Sequence, residues 1–236
     1  MRFEFLKIGE ISLEMDILYP GNYEEGKSYP TIYWIFGGGW LKGEIEQNDF
    51  FADYYAKKGY IVVRPEYRVG RVHGTTVYEC ISDSIAGVKY LLENAERLGI
   101  DTDRLIGAGN SAGGHLIAMM ECGGYGLNGT FKALLLKNPV IDTSPEGYGN
   151  DRIPGDFREI SPLHLLKKDF PQFILIHGSD DTTVPYKGAA AFCEKADKLG
   201  IKNKFITFDG EVHGMKKYPE SKTKMREYFY EFMQEI

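Results

Sequence analysis

Leu105-Ile106-Gly107-Ala108-Gly109-Asn110-Ser111-Ala112-Gly113 is followed, after Gly114, by His115-Leu116-Ile117-Ala118-Met119-Met120. The order is an apolar strand, a sharp turn and a helix-like run. G-x-S-x-G at such a junction is the pattern of a nucleophile elbow. The geometry accounts for the residue types. So tight a turn strains the backbone at the serine and brings strand and helix close together, so that side chains at Gly109 and Gly113 would clash. Ser111 then stands at the tip, at the N-terminus of a helix whose dipole favours developing negative charge. The pentapeptide alone is equally compatible with a glycine-rich turn that merely holds a serine, so the rest of the chain must decide.

Outward from the elbow, apolar runs alternate with helical patterns. Arg2–Lys7 and Leu13–Tyr19 alternate apolar and polar residues, as an opening antiparallel pair does. Thr31–Phe36, Tyr60–Val63, Ala133–Leu136, Phe173–Ile176 and Phe205–Phe208 read as further strands, the solid apolar runs among them as strands buried on both faces. Between them the spacing predicts helices over Phe50–Lys58, Val77–Leu98, Tyr186–Leu199 and Pro219–Ile236, the first three stopped by Gly59, Gly99 and Gly200. Pro162–Lys168 reads as a short helix, and residues 142–161 as an irregular Gly- and Pro-rich segment long enough to suggest a functional loop. Strands alternating with helices predict an α/β fold with a mostly parallel central sheet of about eight strands, helices on both faces, and one domain over residues 1–236. Ligands on such sheets bind at the carboxyl ends of the strands.

Composition narrows the function. The chain has 236 residues, 43% of them apolar, and a net charge of −6. No Lys/Arg cluster exceeds short pairs such as Lys167-Lys168 and Lys216-Lys217, so neither a nucleic-acid nor a membrane partner is expected. Cys80, Cys122 and Cys193 are odd in number and far apart, which predicts small buried residues rather than disulfides. No Cys or His spacing suggests a metal, and no cofactor is expected. The N-terminus lacks the continuous apolar stretch of a signal peptide, which points to a cytoplasmic protein.

A serine hydroxyl needs a base, a carboxylate that orients the base, and donors for the oxyanion. The chain offers them in the order Ser111, Asp181, His213, each beyond a predicted strand. Asp180 suits a local turn or cap better than Asp181 does, but the sequence does not separate the two, and Asp142 is a further acid candidate. Backbone N–H groups of Ala112 and of Gly37-Gly38-Gly39 fit the oxyanion role. The glycine run lacks the Gly-Lys-Ser/Thr ending of a phosphate loop. His115 and His177 read as packing residues, the latter supporting the acid turn, and Glu66-Tyr67-Arg68 with Asp83 as an ion-paired brace. Trp40, Tyr125, Tyr148 and Phe157 sit in loops that could line a substrate pocket.

Together these motifs resemble the α/β-hydrolase superfamily on its esterase/lipase branch, which includes hormone-sensitive-lipase-like, acetyl and feruloyl esterases. The resemblance spans nearly the whole chain. It rests on Gly37-Gly38-Gly39-Trp40, Tyr67-Arg68, Gly109-Asn110-Ser111-Ala112-Gly113-Gly114-His115, Ser161-Pro162, His177-Gly178 with Asp181-x-x-Val184-Pro185, and His213-Gly214. It implies an α/β-hydrolase fold, without a large cap in a chain this short. It also implies Ser111 as nucleophile, Asp181 as acid, His213 as base, and an oxyanion hole from the N–H groups of Gly38, Gly39 and Ala112. Phe36 departs from the family's usual histidine before the glycines, so the glycine loop is expected to be held by other contacts or to move more. The expected activity is hydrolysis of small or short-acyl esters, acetylated carbohydrates among them, with a small-molecule partner and an assembly of identical copies left open. Two other readings stand beside it. One is a peptidase or amidase on the same residues, since Asp181-x-x-Val184-Pro185 also resembles prolyl oligopeptidases, without their propeller. The other is a binding protein that has lost catalysis.

Overall fold

The computed structural model describes residues 1–236. In chain order the elements are β1 (Arg2–Ile8), β2 (Ile11–Leu18), β3 (Tyr29–Ile35), α1 (Asp49–Lys57), β4 (Ile61–Pro65), α2 (Gly70–His73), α3 (Val77–Glu93) and α4 (Ala95–Leu98). There follow β5 (Ile100–Asn110), α5 (Ala112–Cys122), β6 (Ala133–Lys137), α6 (Pro162–Leu165), β7 (Gln172–Gly178), α7 (Tyr186–Leu199), β8 (Asn203–Phe208) and α8 (Ser221–Met233). The strands form one eight-stranded sheet in the order β1-β2-β4-β3-β5-β6-β7-β8. β1 and β2, and β2 and β4, pair antiparallel; every other neighbouring pair is parallel.

The unbroken apolar strands are explained by burial on both faces. Along β3, Ile32 and Trp34 pack against α1 and α8 with Phe51, Tyr55 and Phe229, while Tyr33 and Ile35 pack on the opposite face with Leu116, Leu134 and Val88. Side chains that point alternately to opposite faces must all be apolar when helices cover both. Asn203–Phe208, at the sheet edge, has no fully buried residue, and Thr207 is exposed. The three cysteines are free and buried.

One expected helix is divided. The pattern predicts a single helix to Leu98, but α3 ends at Glu93 and α4 begins at Ala95. Asn94 causes the break: its side-chain Nδ2 donates to the Tyr90 carbonyl at 2.9 Å, and its Oδ1 accepts from the Arg97 guanidinium at 3.0 Å. An amide that bonds its own backbone competes with helix propagation. At the other end, Thr76 and Glu79 form a reciprocal capping box that fixes where α3 starts.

The sheet positions the site through the parallel strands β5, β7 and β8, whose carboxyl ends lead into residues 111, 181 and 213. Ser111 itself has φ 54° and ψ −121°. A Cβ at Gly109 would come within 2.4 Å of the Gly113 carbonyl oxygen, and one at Gly113 within 2.2 Å of the Ile35 oxygen. The close approach of β5, α5 and β3 therefore admits no side chain at either position.

Candidate active site

Ser111, His213 and Asp181 lie in one hydrogen-bonded line. His213 Nε2 is 3.0 Å from Ser111 Oγ, and its Nδ1 is 2.7 Å from Asp181 Oδ2. A carboxylate can only accept, so the ring proton sits on Nδ1 and the Nε2 lone pair faces the serine hydroxyl. Asp181 is fixed from several sides. Its Oδ1 accepts from the N–H groups of Thr183 and Val184, both at 2.9 Å. Its Oδ2 also lies 3.2 Å from Asn138 Nδ2 and 3.2 Å from His177 Nε2. Burial alone would push this carboxyl up, but the His177 and His213 hydrogen bonds and the Val184 N–H hold it well below the usual carboxylate range. Asp180 instead faces Lys217 at 3.5 Å on the surface, and Asp142 accepts from the Ser144 N–H. Neither reaches His213.

The glycine loop after β3 faces the serine. The Gly38 carbonyl accepts from the Leu41 and Lys42 N–H groups, both at 3.2 Å, while no protein acceptor takes the N–H of Gly38 or Gly39. Ala112, the first residue of α5, has a free N–H by the nature of a helix start. Gly38 has φ 134°, and a Cβ there would fall 1.7 Å from the Lys42 oxygen, so only glycine closes the turn. The absent histidine is replaced by other braces. Tyr67 donates from its hydroxyl to the Phe36 carbonyl at 3.1 Å, and the two rings stack at 4.3 Å between centroids. With its amide oxygen turned toward the loop, Asn110 accepts from the Gly37 N–H at 3.1 Å and donates to the Ile35 oxygen and Asn48. Arg68 in turn pairs with the buried Asp83 of α3 through two hydrogen bonds at 2.8 Å.

A cavity of about 580 Å³ opens over Ser111 and His213, walled by the glycine loop, Thr183, Tyr148 and Arg152. The 142–161 segment thus forms part of its wall, with Arg152 donating to the Tyr148 hydroxyl at 2.8 Å. No group of three or more His, Cys, Asp or Glu side chains is gathered closely enough to hold a metal, and no helix is long and apolar enough to cross a membrane.

With this geometry in hand, the family model described as BD-FAE matches residues 15–138, the stretch that carries the glycine loop and the elbow. The chain belongs to the BD-FAE family. It is an α/β-hydrolase of the esterase type, with the expected fold and no large cap. Among solved structures, Thermogutta terrifontis esterase 2 phosphoramylated by tabun superposes with a TM-score of 0.92 at 27% identity, covering 100% of this chain and 94% of that one. A probable isoprenylcysteine alpha-carbonyl methylesterase of Arabidopsis thaliana is 24% identical over 84% of this chain and 48% of its own length. Dipeptidyl-peptidase 5 of Aspergillus oryzae is 27% identical over 84% of this chain, which spans only 30% of that protein.

Within this BD-FAE chain, three of the aromatic residues expected at the pocket lie elsewhere. Tyr148 is on the cavity wall, but Trp40 is buried behind it, packed between Tyr148 and the edge of His115. Phe157 packs on His164 and under Arg158, and Tyr125 sits against Gly123 at the end of α5. Loop position alone does not reveal whether an aromatic faces a cavity or fills the core beneath it. His177 does brace the acid turn, its Nε2 lying between the Val184 oxygen and Asp181. His115, fully buried, donates to the Ile160 oxygen at 2.7 Å and so ties α5 to the 142–161 segment; burial pushes its imidazole down to about 4, against the opposing Ile160 hydrogen bond.

Two positions escaped the sequence reading. Glu211, fully buried, accepts from the N–H groups of Val212, Lys217 and Tyr218, and so shapes the loop that presents His213. Its place two residues before that histidine was the available signal. Lys137, at the end of β6 and one residue past the predicted strand, lines the cavity; its carbonyl accepts from the Ser111 N–H at 2.9 Å.

Proposed function

We propose that this chain is a serine carboxylic-ester hydrolase acting on short-acyl esters. The observation that carries the reading is the Ser111–His213–Asp181 line, at 3.0 and 2.7 Å, opposite uncommitted N–H groups. Ser111 Oγ attacks the ester carbonyl while His213 Nε2 takes its proton, and Asp181 stabilises the imidazolium. The N–H groups of Gly38, Gly39 and Ala112 hold the oxyanion. The acyl–oxygen bond breaks and His213 returns its proton to the leaving alcohol. Water then attacks the acyl-enzyme, giving its proton to His213, and the acid departs as Ser111 is restored.

Short acyl groups are favoured by the absence of a large cap and by the likeness to Thermogutta terrifontis esterase 2, solved with butyrate and with propionate bound. The dipeptidyl-peptidase relatives favour a second reading, amide hydrolysis on the same residues. Steady-state kinetics on p-nitrophenyl esters graded by acyl length, beside aminoacyl anilides, tests both. The proposal expects ester turnover highest at two to about four acyl carbons and abolished by Ser111→Ala. Faster cleavage of anilides than of esters would favour the peptidase; turnover unaffected by Ser111→Ala would exclude both.

A further inference from the structure

The cavity over Ser111 is strongly cationic in a chain whose net charge is −6. Lys42, Arg71, Lys137, Arg152, Lys216 and Lys222 line it, and no Asp or Glu does. None of the six has a carboxylate within ion-pairing distance, whereas elsewhere Arg2, Arg64, Arg68 and Lys217 are paired. These cations come from the loop after β3, from α2, β6, the 142–161 segment, the loop after β8, and α8. The fold has collected them at one place.

Lys137 is the most informative of them. It is 8% exposed. Its ammonium makes no hydrogen bond to a protein acceptor; the Phe51 ring lies 5.1 Å away, and its charged neighbours are Lys222 and Lys216. A buried, unpaired cation among like charges is costly, so such a group either gives up its proton or takes a counter-charge from outside the chain. Burial first, then Lys222 and Lys216, push this ammonium down to about 7. An anion seated there would restore the charged form.

We propose that the cavity selects esters bearing an anionic group, a carboxylate or a phosphate, seated by Lys137 together with Lys216 and Lys222, with the remaining cations drawing the substrate in. The proposal rests on the esterase reading above and names the substrate class of that site. A unipolar cleft of this kind concentrates counter-ions and raises association rates. Hydrogen bonds from an ammonium to an anion discriminate against a neutral analogue by about tenfold or more.

Matched ester pairs test it: p-nitrophenyl butyrate against the mono-p-nitrophenyl ester of succinic acid, and phenyl acetate against 4-acetoxybenzoate and 4-acetoxyphenyl phosphate. The ratio of kcat/KM for each anionic ester to its neutral partner is expected to exceed about ten at low salt and to fall as the screening length shrinks from about 10 Å at 0.1 M to about 3 Å at 1 M. Lys137→Met should lower that ratio by about tenfold, and the Lys216→Met/Lys222→Met pair, at exposed positions, should lower it where Lys137→Met fails to fold. Lys57→Met, on the far surface of α1, is the charge control and should leave it unchanged. The larger of the carboxylate and phosphate ratios identifies the group. If neutral esters are hydrolysed but the ratio is near or below one, or is insensitive to these lysines and to salt, the proposal is overturned and the esterase reading stands. If no ester is turned over at all, the esterase reading itself falls.

Discussion

Asp181→Asn tests how the candidate triad works, because the surroundings dictate which way the new amide must turn. Oδ1 of Asp181 receives two backbone N–H groups, from Thr183 and Val184, both at 2.9 Å. The amide oxygen has to stay there, since the reverse orientation would set NH2 against two donors and leave buried groups unsatisfied at about 1–3 kcal/mol each. The amide nitrogen then faces His213 Nδ1 at the 2.7 Å position and can only donate to it. That fixes the opposite tautomer, with the proton on Nε2 pointing at Ser111 Oγ, and the serine is left without a base. The same change at a triad of this kind lowers kcat about 10⁴-fold, or about 5 kcal/mol of transition-state stabilisation. The fold should hold, because removing a buried charge partly offsets the donors of His177 and Asn138 that lose their acceptor. The assay is kcat on p-nitrophenyl acetate at neutral pH, with circular dichroism to verify folding and Asp180→Asn as the adjacent control, expected within about twofold of the parent. If Asp181→Asn retained kcat within about tenfold, the tautomer argument would be wrong.

Three further outcomes follow from the braces around the site. Gly38→Ala would place its Cβ 1.7 Å from the Lys42 oxygen at φ 134°; the loop must shift, and kcat should fall by about 10²–10³ with KM less affected, as for loss of one oxyanion donor. Tyr67→Phe removes the donor to the Phe36 carbonyl and should cost about 1–3 kcal/mol in urea unfolding; an unchanged midpoint would mean that the glycine loop is not held there. His115 refuses a proton in the folded state down to about 4, against an ordinary value of 6.5. Between those values the unfolded chain binds the proton and the folded chain does not. Stability is therefore fully present above pH 6.5 and declines as pH falls, by about 2 kcal/mol from this residue between pH 7 and pH 5. His115→Gln should flatten that part of the pH dependence, read as the difference between the two proteins' unfolding curves.

Much of this was legible from local chemistry. The elbow announces itself because its close backbone contacts exclude side chains at Gly109 and Gly113, and the Ser, Asp, His order marks the ends of β5, β7 and β8. Helix ends were legible where a left-handed glycine stops the helix, as at Gly99 and Gly200. The break at Asn94 was not, because Asn94 and Tyr90 have ordinary helical spacing and only the amide's rotamer decides. Nor were the contacts that replace the missing histidine, since Tyr67 lies 31 residues from Phe36 and Asn110 still further away. The cationic cavity was hidden for the same reason. Its lysines and arginines are scattered along an acidic chain and meet only through the topology. Trp40 and Phe157 show the converse: a loop aromatic carries no local mark of the side on which it packs.

The central claim is that Ser111 is an activated nucleophile. Incubation with a fluorophosphonate, followed by intact mass and peptide mapping, addresses it directly. The solved neighbour Thermogutta terrifontis esterase 2 is phosphonylated by sarin, a precedent for the probe. The account predicts one adduct per chain, on the peptide containing Ser111, absent in Ser111→Ala and slowed strongly in His213→Ala. An unlabelled Ser111, or labelling that persists in Ser111→Ala, would contradict it.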